Sequence, residues 1–221
     1  MKLGTSIVLL GLGLGVANPA SAIVFDLAAD FAVDNGNPNG VWTYGQLDTL
    51  SSPFTPWVIG GVTDAPYAPS LFWHSSDPGD GNPTVWHNRT SQSFFGSPPG
   101  SVALHPGSLG QGATVRWTAP AGDVGVSYAI SAVFGAGDSG SMGLAVLFNG
   151  ATVWTGSDSG SFATTQALSA GDRFDFVVHN GYGFGTTPLA VTFTTVPEPS
   201  AYAAVAALGL GALACARRRR G

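Results

Sequence analysis

Apolar and polar residues alternate with a period of two along most of the second half of the chain. From Val126 to Phe134, the positions Val126, Tyr128, Ile130, Ala132 and Phe134 fall on one side. Successive side chains of a strand point to opposite faces, so this pattern predicts a strand with one buried face. Phe174, Phe176 and Val178 alternate in the same way with Arg173, Asp175 and Val177, and Leu189, Val191 and Phe193 with Ala190, Thr192 and Thr194. Leu144–Phe148 runs into Asn149-Gly150 and then Ala151–Trp154. Asn-Gly between two strand-like runs predicts a hairpin, because a type I′ turn needs positive φ at both central positions. That register sets Phe148 opposite Ala151 and Val146 opposite Val153, so Leu144, Val146, Phe148 and Val153 share a side.

The first half is less regular. Ile23, Phe25 and Leu27 predict an opening strand, Val41–Tyr44 and Trp57–Val62 two more, and Thr84–His87 a fourth. Between Asp64 and Gly112 the chain is rich in Pro, Gly, Ser and Asn and otherwise reads as a long loop, of the kind that often carries function. No convincing amphipathic helix and no internal repeat stands out. Short strands between turn residues, over a 173-residue stretch from Ile23 to Thr195, predict one all-β domain. The expected architecture is a single antiparallel β-sandwich, jelly-roll-like.

Both ends depart from this pattern. Lys2, an apolar run from Ser6 to Val16 and Ala20-Ser21-Ala22 have the order of a signal peptide, with cleavage guided by Ala20 and Ala22 after residue 22. At the far end, Ala201–Ala216 is an uncharged, mostly apolar run followed by Arg217, Arg218, Arg219 and Arg220. As a helix, those 16 residues would span ~24 Å, enough to cross a slightly thinned bilayer with the arginines left in the cytoplasm. The predicted topology is export through the Sec translocon, with residues 23–195 outside and a transmembrane helix at 201–216. Val196-Pro197-Glu198-Pro199-Ser200, the small-residue apolar helix and the arginine cluster together resemble the PEP-CTERM sorting signal over residues 196–221. The resemblance implies recognition by an exosortase, cleavage near Pro-Glu-Pro, delivery to the cell surface and an association with exopolysaccharide or biofilm.

Setting those two segments aside changes the charge. Residues 23–195 hold three arginines (Arg89, Arg116 and Arg173) against twelve aspartates, a net charge of −9, with no lysine and no glutamate. Such a surface repels nucleic acid and anionic lipid, which excludes nucleic-acid binding. The single cysteine, Cys215, lies in the tail, so the exported domain has no disulfide.

The middle carries a second, more scattered resemblance. Asn37 to Gly45, His105-Pro106-Gly107, Val115 to Pro120 and Gly171 to Val177 look like a β-sandwich module of exported bacterial proteins. This likeness implies a jelly-roll of the carbohydrate-binding-module type and brings no catalytic residues with it.

Candidate chemistry is sparse. Gly137-Asp138-Ser139-Gly140 resembles the nucleophile segment of trypsin-like proteases, but Ser157-Asp158-Ser159-Gly160 nearly repeats it, so both read as turns. A glycosidase would need two carboxylates, here only aspartates, and these sit mostly in turns exposed to solvent. His74, His87, His105 and His179 lack metal-ligand spacing. Asp77-Pro78-Gly79-Asp80-Gly81-Asn82 packs oxygen ligands into one turn, which makes Asp77 and Asp80 the candidates for structural calcium; no other cofactor is implied. Trp42, Tyr44, Trp57, Trp73 and Trp86 crowd into the loop-rich half as candidate stacking faces for sugar rings, the alternative being that they are core. The expectation is a non-catalytic surface or matrix protein associated with polysaccharide. A structural or adhesive protein without a small ligand, and an unrecognised hydrolase, are the alternatives.

Overall fold

The computed structural model describes residues 21–76, 81 and 83–196. Signal-peptide residues 1–20, the calcium candidates Asp77 and Asp80, and the tail from Pro197 through the 201–216 helix to the arginine cluster lie outside the described residues. Among the described residues no helix is long and apolar enough to cross a membrane.

The alternating segments form strands where the pattern places them: β9 (Val126–Phe134), β10 (Gly143–Phe148), β11 (Ala151–Ser157), β13 (Arg173–His179) and β14 (Thr187–Thr195). Between them lies β12 (Gly160–Leu168). Asn149 and Gly150 both take positive φ, 50° and 84°, as the type I′ turn requires. Phe148 pairs with Ala151, but the register slips between Val146 and Leu147, so Val146 faces Trp154 rather than Val153. This bulge inserts one extra residue and reverses the parity beyond it. Val153 is consequently 48 % exposed, while Trp154 stacks on Phe134 at 5.6 Å.

The first half supplies β1 (Val24–Asp26), β2 (Trp42–Leu47), β3 (Thr55–Pro56), β4 (Ile59–Val62), β5 (Leu71–His74), β6 (Thr84–His87), β7 (Val102–His105) and β8 (Gly112–Thr118). Two expectations shift. Leu27 does not continue β1: Asp26 accepts from the N–H groups of Ala28 and Ala29 and caps a single helical turn, α1 (Leu27–Asp30). The segment otherwise expected to be a long loop contains β5 and β7 beside the expected β6.

Two antiparallel sheets result. The larger runs β12-β9-β14-β7-β6-β5-β4, with β1 also on β14; the smaller runs β11-β10-β13-β8-β2-β3. From β7 onward the chain changes sheet at nearly every connection, in the jelly-roll manner. The sheets close on one aromatic core, where Trp117 of β8 stacks on Phe193 of β14 at 3.9 Å and 7°. Among the described residues, those of the main buried core lie between Leu27 and Phe193. A second apolar cluster, Leu47, Ala145, Leu147 and Val177, lies on the outer face of the smaller sheet under Leu50 and Phe54. Beside it Arg116 and Asp175, direct cross-strand partners, form a bidentate ion pair at 2.6 and 2.9 Å, with the guanidinium 4.1 Å from the Phe54 ring.

Candidate functional site

Strand parity decides which aromatic residues meet solvent. In β5, Leu71 and Trp73 turn into the core while Phe72 and His74 turn outward; across the ladder Phe72 pairs with Trp86 and His74 with Thr84. Thr84 pairs in turn with His105 of β7. These outward side chains, with Thr63 and Tyr67 from the β4–β5 connection, Phe95 and Thr186, line a cleft of about 370 Å³ on the outer face of the larger sheet. That volume is within the range of small-ligand sites.

Local sequence builds the walls. β4 reads Ile-Gly-Gly-Val, and both glycines make room for rings of β5. A Cβ on Gly60 would sit 2.7 Å from the Trp73 ring on the core side, and one on Gly61 would sit 3.3 Å from Phe72 on the cleft side. Phe95 projects from a tight turn closed by the Phe94–Ser97 bridge, at φ 50°, and is 49 % exposed. It lies 5.4 Å from Tyr67 and 6.4 Å from Trp86, while Phe94 meets Tyr67 edge-on at 5.0 Å.

The polar groups are histidine and threonine side chains. His74 and His105 each direct Nδ1 at the carbonyl oxygen of the following residue, Ser75 or Pro106. With the proton held on Nδ1, a neutral His74 ring presents Nε2 as an acceptor. Burial holds His105 below the usual histidine range, against the opposing effects of the Pro106 and Tyr182 carbonyls and the Asp138 carboxylate. None of the described residues lining the cleft carries a carboxylate, lysine or arginine. No group of three metal-ligating side chains occurs among the described residues.

Of the five aromatic candidates, four are not stacking faces. Trp42, Tyr44, Trp57 and Trp73 are 1, 0, 3 and 4 % exposed and belong to the inter-sheet core. Each of the three indoles finds the one acceptor it needs when buried, Trp42 donating to Asp30, Trp57 to Gln46 and Trp73 to the Ala32 carbonyl, while the Tyr44 ring stacks on Trp73 with its hydroxyl unpaired. Trp86, 8 % exposed, is the one that reaches the cleft. Sequence reasoning missed Phe72, Tyr67, Phe95, His74 and His105 as its companions; the pairing of β5 with β6 was the signal that would have joined them.

The aspartates are more structural than the expected solvated turns. Asp26 caps α1, Asp123 accepts from the Tyr128 hydroxyl at 2.8 Å, and Asp175 is buried against Arg116. Asp172, held low by the Ser169 N–H and the Asn149 amide, ties the hairpin turn to β13. Both Asp-Ser segments are turns: Asp138 accepts from the Ser139 N–H and Asp158 from the Met142 N–H.

Residues 195–220 match the PEP-CTERM protein-sorting motif. The motif marks an exported protein directed to an exosortase and held in the membrane before processing. No curated protein matches the chain. Among solved structures, the carbohydrate-binding module CBM35 from Paenibacillus barcinonensis is similar at 14 % identity and a TM-score of 0.28, over 57 % of this chain and 98 % of that one. The carbohydrate-binding module CBM36, solved with calcium and xylotriose, is similar at 21 % identity and a TM-score of 0.23, over 42 % and 76 %. These weak likenesses concern the sandwich architecture alone.

Proposed function

We propose that the protein is a non-catalytic component of the cell surface or extracellular matrix that binds neutral polysaccharide in the outer cleft of its larger sheet. The observation that carries this reading is the lining: Phe72, Trp86, Phe95 and Tyr67 offer ring faces to the apolar C–H faces of sugars, beside histidine and threonine groups. What supports a binding role over hydrolysis is that the described lining holds no carboxylate, whereas glycoside hydrolysis uses two. The sorting tail supports delivery to the surface, and an association with exopolysaccharide or biofilm follows from the two together.

The test is a pull-down of the purified protein with neutral and anionic polysaccharides, including the host's own exopolysaccharide. Neutral polymers should bind with micromolar or weaker affinity, and binding should survive high salt, because no ionic contact is there to be screened. A protein that retains no polysaccharide, or that releases sugar from one, refutes the reading.

A further inference from the structure

At the opposite end of the larger sheet, β12 is an edge strand, bonded to β9 alone. Alternate residues of an edge strand leave their N–H and C=O groups without ladder partners. Natural edge strands of this length are guarded by lysine, proline, bulges or brevity. β12 has none of these guards: Gly-Ser-Phe-Ala-Thr-Thr-Gln-Ala-Leu is nine residues long, uncharged, free of proline and paired to β9 in unbroken register. The corresponding edge of the smaller sheet is β11, Ala-Thr-Val-Trp-Thr-Gly-Ser, equally uncharged.

We infer that β12 is a self-association edge, at which two copies of this chain pair antiparallel about a two-fold axis. The occupant follows from charge and length. Twelve aspartates against three arginines make two copies repel, yet none of the twelve lies on β9, β12 or β14. Of the strands of the larger sheet only β1 carries an aspartate or arginine, so length rather than charge separates its two edges. β4, the other edge, has four residues and could match less than half of β12, whereas β12 matches itself fully. A two-fold closes the contact, so that neither copy keeps a bare β12 edge.

In full register the axis passes through Thr164. Ala163 of one copy then faces Thr165 of the other, and Ser161 faces Ala167. All four project from the outer face and are exposed, so nothing bulky opposes approach. Phe162, Thr164, Gln166 and Leu168 project inward, and the two cores abut beneath a continuous sheet.

The geometry specifies its own test. Ala163→Lys with Thr165→Lys places lysines directly opposite each other twice across the axis. Ala163→Glu with Thr165→Lys places opposite charges there instead. Sedimentation equilibrium is run on the full chain in detergent and on residues 23–195, which contain the whole described core. The parent should form a dimer, tightened by salt because salt screens the net repulsion. The double-lysine variant should weaken the dimer about tenfold or more, although it lowers the net negative charge, and the Glu/Lys variant should restore it. Equal melting temperatures show that the variants fold. A parent that stays monomeric at millimolar concentration, or a dimer indifferent to both variants, overturns the proposal.

Discussion

Phe95→Gly separates the cleft's role in binding from its role in stability, because its two effects on stability oppose each other. Phe95 sits at φ 50°, a conformation that costs a residue with a Cβ roughly 1–2 kcal/mol and glycine almost nothing. Against that relief stands the loss of a ring. Full burial of a phenylalanine contributes about 1.5–3 kcal/mol, but this ring is 49 % exposed, so about half of that, ~1 kcal/mol, is forfeited. Added backbone freedom in the unfolded chain takes away up to ~1 kcal/mol more. The net change should stay within about 1 kcal/mol of zero, a shift of a few degrees in Tm for a domain of this size. Affinity has no such compensation. One stacking face lost from the site removes ~1 kcal/mol, which is about a fivefold rise in Kd. Isothermal titration with a bound oligosaccharide and differential scanning calorimetry read the two quantities separately. Trp73→Ala supplies the contrast: it empties a core site 4 % exposed and should destabilise by about 3–5 kcal/mol. Unchanged affinity in Phe95→Gly, with the fold intact, would refute the assignment of the cleft.

Other perturbations probe other parts of the molecule. Asp175→Ala leaves the Arg116 guanidinium uncompensated with its side chain 16 % exposed, and should cost about 2–3 kcal/mol in urea unfolding, somewhat below the value for a fully buried pair. Asn149→Ala with Gly150→Ala loses the positive-φ turn and the Asn149 bonds to Asp172 and Arg173, and should destabilise by roughly 2–4 kcal/mol on the same assay. Burial lowers the pKa of His87, His105 and His179, so the unfolded chain takes up protons first as pH falls. Stability should therefore be full above the ordinary histidine pKa and decline below it, and a Tm flat from pH 7 to about 5 contradicts this. Replacing Pro197, Glu198 and Pro199 by alanine should spare export but block C-terminal processing, so that mass spectrometry finds the arginines still attached.

How much was legible in the sequence depended on whether one face of a strand was polar. β9, β13 and β14 were plain because apolar and polar sides differed, or because the buried side was aromatic throughout. β5 and β7 were not, since Leu-Phe-Trp-His and Val-Ala-Leu-His are apolar on both faces. The outer face there is the cleft, so the same residues that form the site erase the alternation that would have revealed its strands. Four-residue strands among prolines and glycines add no length to compensate. The hairpin slip at Val146 had no sequence signature, because a bulge alters parity without altering composition. The tryptophans misled for a related reason: crowding in a glycine- and proline-rich segment suggested exposure, whereas strand parity buried Trp42, Tyr44 and Trp73, and Trp57, between β3 and β4, packs into the same core.

β14 relates the cleft to the sorting tail. Its first residues, Thr187 to Leu189, pair with β7 beside the cleft residue Thr186. Its last, Thr195, is where the sorting motif begins. Nine residues of strand separate these ends by about 30 Å, most of the length of a small domain. The front of the exported domain leaves from the same place, for Ile23 donates to the Thr195 hydroxyl and accepts from its N–H. Both attachments therefore gather at one end of the sandwich and the ring-lined cleft lies toward the other. On the proposed reading, sugar binding needs no prior cleavage, because the cleft and the start of the sorting motif lie toward opposite ends of the domain, and processing changes where the complex goes rather than whether it forms.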